Sequence, residues 1–269
     1  MNKALLVGIN AYPGNELQGC VNDVADMRNL LQAKCGFNAA DIQMLTDANA
    51  NTAAIGKGLD WLVAGAKPGD RLLFHYSGHG AQMPTRNPRQ EVDGLDEVIC
   101  PVDFDWSDQH AIRDKQFHQR FSAVPKGVEF IWVSDSCHSG DLERVLGDQR
   151  PKQLYPPADI AAEIEKAMAK GIKPRRFIHT VRGLNLALVS GCKSNQTSAD
   201  ASFNGRANGA LTYFLLQALG PQLAANLDSV VGDVRTALSR AAYSQQPQLE
   251  GSTEIMRAPF LSSKVVTPA

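Results

Sequence analysis

Phe130-Ile131-Trp132-Val133-Ser134-Asp135-Ser136-Cys137-His138-Ser139-Gly140 decides how this chain is read. Its first half is an apolar, β-branched run of buried-strand type, and it ends abruptly in small and polar residues. In an open α/β sheet, ligands bind beyond the carboxyl ends of the strands. Cys137 is therefore expected on a turn at the mouth of a crevice. A solitary cysteine is more often a small buried hydrophobe than a nucleophile. A second stretch of the same shape shifts that balance.

That stretch is Arg71-Leu72-Leu73-Phe74-His75-Tyr76-Ser77-Gly78-His79-Gly80. Again an apolar strand runs out into small residues, with His79 at its end. Flanking glycines let a backbone approach a substrate closely. A thiol becomes an effective nucleophile when a base takes its proton, and an imidazole does this at neutral pH. Neighbouring strand ends would set His79 and Cys137 across one crevice. The histidine precedes the cysteine by about 50 to 60 residues, the order and spacing seen in caspases.

Tyr76-Ser77-Gly78-His79-Gly80 and Asp135-Ser136-Cys137-His138-Ser139-Gly140 together resemble the metacaspases and their bacterial caspase-like relatives. Three further stretches fit the same pattern: Leu17-Gln18-Gly19-Cys20-Val21-Asn22-Asp23, Cys100-Pro101-Val102-Asp103, and Ser190-Gly191-Cys192-Lys193 leading to Gln196-Thr197-Ser198-Ala199-Asp200. These matches run to about residue 215 and keep the family's order. The resemblance implies a caspase-like α/β fold, with a mostly parallel central sheet flanked by helices on both faces. It also implies a cysteine endopeptidase with a Cys137–His79 dyad.

Length and composition agree. The chain has 269 residues, which suits one large α/β domain or two small ones, and a formal net charge of −1. Near-neutral charge argues against a nucleic-acid partner. No apolar run approaches bilayer-spanning length and the N-terminus lacks a signal-peptide pattern, so the expectation is a cytoplasmic protein without membrane partners. Five cysteines without framework or metal-ligand spacing suggest reduced thiols.

Taken in order, Lys3 to Ile9 reads as a strand and Val21 to Lys34 as a helix closed by Gly36. Ile42 to Leu45 reads as a strand and Thr52 to Ala66 as a helix. This alternation predicts a mostly parallel sheet with right-handed crossovers. Ala81 to Val92 is polar with two prolines and reads as a surface loop. The acidic cluster Glu91, Asp93, Asp96 and Glu97 follows, then a strand over Val98 to Val102 and a helix over Asp114 to Phe121. Residues 1–145 form a large catalytic segment. Residues 146–180 read as an exposed connector, with a structured excursion as the alternative because Ile160 to Ala169 has helical spacing. Residues 181–269 form a small segment, with a strand at Leu186 to Ser190 and helices at Gly209 to Ala218 and Leu227 to Tyr243.

The resemblance assigns roles. Cys137 is the nucleophile and His79 the base, and the backbone N–H groups of Gly80 and Cys137 hold the oxyanion, since Gly80 has no side chain to block the approach. His138 is a rival base that should point away from the thiol, and His75 should be packed within its strand. The family cuts after Arg or Lys, and the matching pocket residues are Asp23 and Asp135, with Ser77 as a hydroxyl partner. Carboxylates pair well with a guanidinium or ammonium. Taken alone, Asp23 could equally be a helix N-cap and Asp135 a turn residue. The implied partners are protein or peptide substrates, acted on by a monomer.

Family members often bind calcium near the cleft. Asp96 and Asp114 match two of those positions, but Lys115 and Arg144 stand where acids are usual, with Asp141 and Glu143 nearby. A cation in the shell is hostile to calcium, so no cofactor is expected to be required. Self-cleavage is expected over Asp141 to Arg176, where the catalytic segment runs into the connector, at Arg144, Arg175 or Arg176 ahead of Lys152 and Lys170, because proline follows Arg150 and Lys173. The alternatives are an inactive caspase-fold interaction module, which has no need for the Cys/His pair, and a nucleotide-binding domain, for which Gly8 to Gly19 lacks the phosphate-loop patterns.

Overall fold

The computed structural model describes residues 1–86, 92–138, 149–175, 177, 181–193, 196–221 and 223–261. The elements in chain order are β1 (Asn2–Gly8), α1 (Cys20–Lys34), β2 (Ile42–Thr46), α2 (Thr52–Val63), β3 (Arg71–Ser77), β4 (Gly80–Arg86), β5 (Val92–Ile99), β6 (Ile112–Arg113), α3 (Asp114–Phe121) and β7 (Glu129–Asp135). Then follow β8 (Arg150–Pro151), α4 (Ala158–Ala169), β9 (Pro174–Arg175), β10 (Ala187–Ser190), β11 (Ala199–Phe203), β12 (Arg206–Gly209), α5 (Ala210–Leu219), α6 (Leu227–Arg240), β13 (Gln248–Gly251) and α7 (Thr253–Met256).

The central sheet runs β13-β10-β7-β3-β1-β2. All its pairings are parallel except β10 with β13, which closes one edge antiparallel. Strand residues alternate between two apolar layers. Leu5, Val7, Phe74, Trp132 and Leu188 meet α2 and α3 on one face, whereas Ala4, Leu6, Leu73, Ile131 and Val189 meet α1, α5 and α6 on the other. A parallel sheet covered on both faces needs near-continuous apolar strands, which is why β1, β3 and β7 were readable. β10 and β13 come from beyond residue 180, so the large and small segments share one sheet.

Two expectations change. The predicted loop after His79 is instead β4, paired antiparallel with β5 over Gly80↔Ile99 to Arg86↔Val92. Asp96 and Glu97 of the acidic cluster lie buried within β5. The connector is also folded into the body. Lys152, Leu154, Ala167 and Phe177 are all buried, and the Phe177 N–H donates to Glu97 Oε2 at 2.7 Å. The structured excursion is therefore the correct reading of its described part.

Candidate active site

β3 and β7 lie side by side in parallel register, with Ser77 opposite Asp135. His79 and Cys137 each follow that pair by two residues and so emerge at the same end of the sheet. His79 is held from several sides. Its main-chain N–H donates to Tyr12 Oη at 3.1 Å, and the Tyr76 hydroxyl donates to its carbonyl at 2.6 Å. Its ring lies 4.5 Å from the Tyr12 ring, and Nε2 sits 2.7 Å from the Asn15 carbonyl. A carbonyl only accepts, so Nε2 carries the proton and Nδ1 keeps the lone pair. Nδ1 is buried and has no hydrogen-bond partner among the described residues. Burial lowers the His79 pKa to about 4, so the imidazole is neutral at pH 7.

His138 turns away from the thiol. Its Nε2 is 3.2 Å from Ser136 Oγ, and its ring stands edge-on to Phe177 with centroids 4.7 Å apart. His75 is fully buried against Thr212 Oγ1 at 3.2 Å.

The predicted pocket carboxylates come together with a third element that the sequence did not assign. α1 begins at Cys20 with Gly19 at its N-cap, so Asp23 is not the cap and its carboxylate is free to face the sheet end. It accepts from Ser77 Oγ at 2.7 Å, Asn208 Nδ2 at 2.9 Å and the Gly209 N–H at 2.9 Å. Asp135 closes β7 and accepts from Ser198 Oγ at 2.6 Å, Thr212 Oγ1 at 2.8 Å and the Thr212 N–H at 3.0 Å. Gly209 and Thr212 open α5, whose unpaired N–H groups and dipole favour negative charge. Ser198 stood inside a quoted motif, but nothing in sequence linked Asn208, Gly209 or Thr212 to this site.

The pocket is filled by the chain's own Lys152, whose side chain is fully buried. Its Nζ lies 3.1 Å from Asp23 Oδ2, 3.2 Å from Asp135 Oδ2 and 2.8 Å from Ser77 Oγ. Burial opposes the ammonium charge, but Asp135 and Asp23 overcome it and hold the Lys152 pKa well above its ordinary value. Burial pushes the Asp23 carboxyl up to about 6 against the pull of Lys152, while Lys152 and the hydrogen bonds to Ser198 and Thr212 keep Asp135 low. A Cβ on Gly209 would fall upon the Lys152 Nζ and both carboxylates, so the missing side chain makes the pocket floor.

The main chain of Lys152 is equally specific. Its carbonyl accepts from the Gly80 N–H and from the Cys137 N–H, each at 3.1 Å, and its N–H donates to the Ser198 carbonyl at 3.0 Å. Arg150 and Pro151 pair antiparallel with Asp200 and Ala199 of β11, and the Leu154 N–H donates to the Gly80 carbonyl at 3.0 Å. The stretch from Arg150 to Leu154 thus crosses the site as an extended peptide. A Cβ on Gly80 would strike the Cys137 carbonyl and, at 2.5 Å, the His138 ring, so only glycine permits this approach. The Cys137 thiol receives the Ser198 N–H and lies 3.2 Å from Cys192 Sγ.

The seated residue differs from the expected order of cut sites. Arg144 and Arg176 lie outside the described residues, as do Asp141 and Glu143, and Arg175 belongs to β9 beside β5.

The two calcium candidates are not a bare carboxylate pair. Asp96 Oδ2 faces Arg113 Nη1 at 3.2 Å and Lys115 Nζ at 3.6 Å, and Asp114 Oδ1 accepts the Lys115 N–H at 2.7 Å. Cations already meet Asp96 Oδ2, whereas the buried Asp96 Oδ1 has no hydrogen-bond partner among the described residues.

Comparison with known proteins follows the same line. The family model described as "Metacaspase, peptidase C14 domain" matches residues 2–145. Metacaspase-1 of Meyerozyma guilliermondii is 33% identical over 93% of this chain and 69% of that protein, and Metacaspase-1 of Schizosaccharomyces pombe is 36% identical over 93% of this chain and 67% of that protein. Among solved structures, a Geobacter sulfurreducens protein matches with a TM-score of 0.69 at 23% identity, covering 97% of this chain and 98% of that one. Caspase-1 from Spodoptera frugiperda matches with a TM-score of 0.61 at 10% identity, covering 98% of this chain and 91% of that one. The fold is that of the caspases, and the chain belongs to the metacaspase family of cysteine peptidases. It spans about two-thirds of the length of these fungal relatives.

Proposed function

We propose that this metacaspase hydrolyses peptide bonds after Lys or Arg and that its first substrate is its own Lys152–Gln153 bond. One observation carries the reading: Lys152 places its ammonium between Asp23 and Asp135 while its carbonyl accepts from both Gly80 and Cys137 N–H groups. Those two donors would hold the oxyanion as charge develops on that oxygen. Cys137 attacks the Lys152 carbonyl carbon. His79, oriented by the Asn15 carbonyl, takes the thiol proton at Nδ1 and returns it to the departing Gln153 nitrogen, and water then releases the acyl group. Asp23, Asp135 and Ser77 select the cation, and the same acids would repel a substrate Asp.

The reading includes calcium-independent activity, supported by Arg113 and Lys115 against Asp96. It also includes a monomer acting in the cytoplasm, where unpaired cysteines suit a reducing compartment. The test compares wild type with Lys152→Ala and Cys137→Ala by fragment mass, alongside peptides carrying Lys, Arg or Asp before the cut. Wild type should yield a fragment beginning at Gln153, neither variant should, and Lys152→Ala should still cleave Lys and Arg peptides. Best cleavage after Asp would overturn the specificity. A wild-type chain that stays whole while cleaving added Lys peptides would make Lys152 a plug rather than a substrate.

A further inference from the structure

Cys192 has no part in the peptidase reading, yet its sulfur lies 3.2 Å from that of Cys137. We propose that the two form a reversible disulfide under hydroperoxide oxidants, a modification that blocks the nucleophile and protects it from irreversible oxidation. The backbone brings them together. β7 and β10 are neighbouring parallel strands with Ser134 opposite Ser190, and the pairing continues one step as the Gly191 N–H donates to the Ser134 carbonyl at 3.0 Å. Cys137 and Cys192 follow within three and two residues of that pair. Adjacent strands lie about 4.8 Å apart, within the span of about 4.4–6.8 Å between α-carbons that a disulfide bridges.

The loop holding Cys192 is fastened on both sides. Its thiol lies 3.0 Å from the Gln196 carbonyl, Gln196 Oε1 accepts the Gln246 N–H at 3.0 Å, and Gln245 Nε2 donates to the Gly191 carbonyl at 3.0 Å. The remaining cysteines sit elsewhere: Cys20, Cys35 and Cys100 are fully buried in the two apolar layers, whereas Cys192 is partly exposed. The chemistry balances with peroxide as oxidant. The Cys137 thiolate attacks the O–O bond, giving a sulfenic acid and hydroxide as two electrons pass from sulfur to peroxide. The Cys192 sulfur then attacks the sulfenic sulfur, the S–S bond forms, the S–O bond breaks, and the thiol proton leaves with the hydroxide as water. Two thiols and one hydrogen peroxide become one disulfide and two waters.

The experiment treats wild type and Cys192→Ser with hydrogen peroxide, alkylates the remaining thiols and digests without reductant. Wild type should give a cross-linked peptide joining Cys137 and Cys192, lighter by two hydrogens than the two thiol peptides together. Its activity on a Lys peptide should fall and return with dithiothreitol. Cys192→Ser, scored against its own untreated activity, should carry Cys137 to sulfinic and sulfonic acid and stay inactive after dithiothreitol. Sulfinic Cys137 without a cross-link in wild type would overturn the proposal, as would equal recovery in Cys192→Ser. The mass measurement needs no peptidase activity, so a failure of the peptidase reading is seen separately.

Discussion

At the scale of single residues, the site is a set of donors and acceptors that meets the ammonium and the carbonyl of Lys152. Cys137→Ala removes the bond-forming atom and should abolish peptide hydrolysis. His79→Ala should cost several orders of magnitude, and the double variant little more, because the pair acts as a unit. Comparable kcat/KM in the double variant and wild type would sink the dyad. Asp135→Ala leaves a buried substrate cation half unpaired, which costs about 3 kcal/mol and hence about a hundredfold in kcat/KM on Lys peptides. Asp23 supplies the pH dependence. Its carboxyl titrates at about 6 with a lysine seated, because burial disfavours its charge. As pH falls through 6 it gains a proton and ceases to attract the cation. Because the seated lysine pulls that pKa down, the carboxyl of the empty pocket titrates higher; KM for Lys peptides should therefore rise as pH falls toward 6 and level off below it, and a KM unchanged between pH 5 and 8 would contradict this assignment. The dyad and the carboxylates were readable because each stands at the end of an apolar run or within a motif of small residues. The Asn15 carbonyl was not, since any residue type can present one.

At the scale of elements, β5 and the connector show where sequence reading stopped. β4 carries Gln82, Pro84 and Thr85 along with buried Ala81 and Met83, a half-polar alternation that a proline made look like a loop. Lys152 read as a second-rank cut site behind Arg144, Arg175 and Arg176, because spacing says nothing about which basic residue a folded connector brings to the crevice. β5 supports a further prediction. Asp96 lies between the guanidinium of Arg113 and the ammonium of Lys115, so positive charge is already supplied from within the chain. Peptidase activity should survive EDTA, with at most modest stimulation by added calcium. Full loss in EDTA restored by calcium alone would show that other carboxylates complete a metal site.

At the scale of the whole molecule, a cut after Lys152 should not separate the halves. β7 belongs to the first fragment and β10 to the second, and they pair over Ile131 to Ser134 in the middle of the sheet. Trp132 and Phe117 of the first fragment meet the Phe177 ring of the second at 5.1 and 5.4 Å between centroids. α1 and α5 share one apolar layer across the same division. Parting them would expose two faces of a closed core, a cost far above the loss of one peptide link. The charged network crosses the division too, since Asp23 and Asp135 of the first fragment accept from Gly209 and Thr212 of the second. The pocket therefore exists only while both fragments remain together. Processed wild type should elute from a sizing column at the volume of uncleaved Cys137→Ala protein and unfold in one transition. Denaturing electrophoresis should resolve its two pieces. Separate elution of the fragments with activity retained would refute this account, because neither piece alone carries a complete pocket.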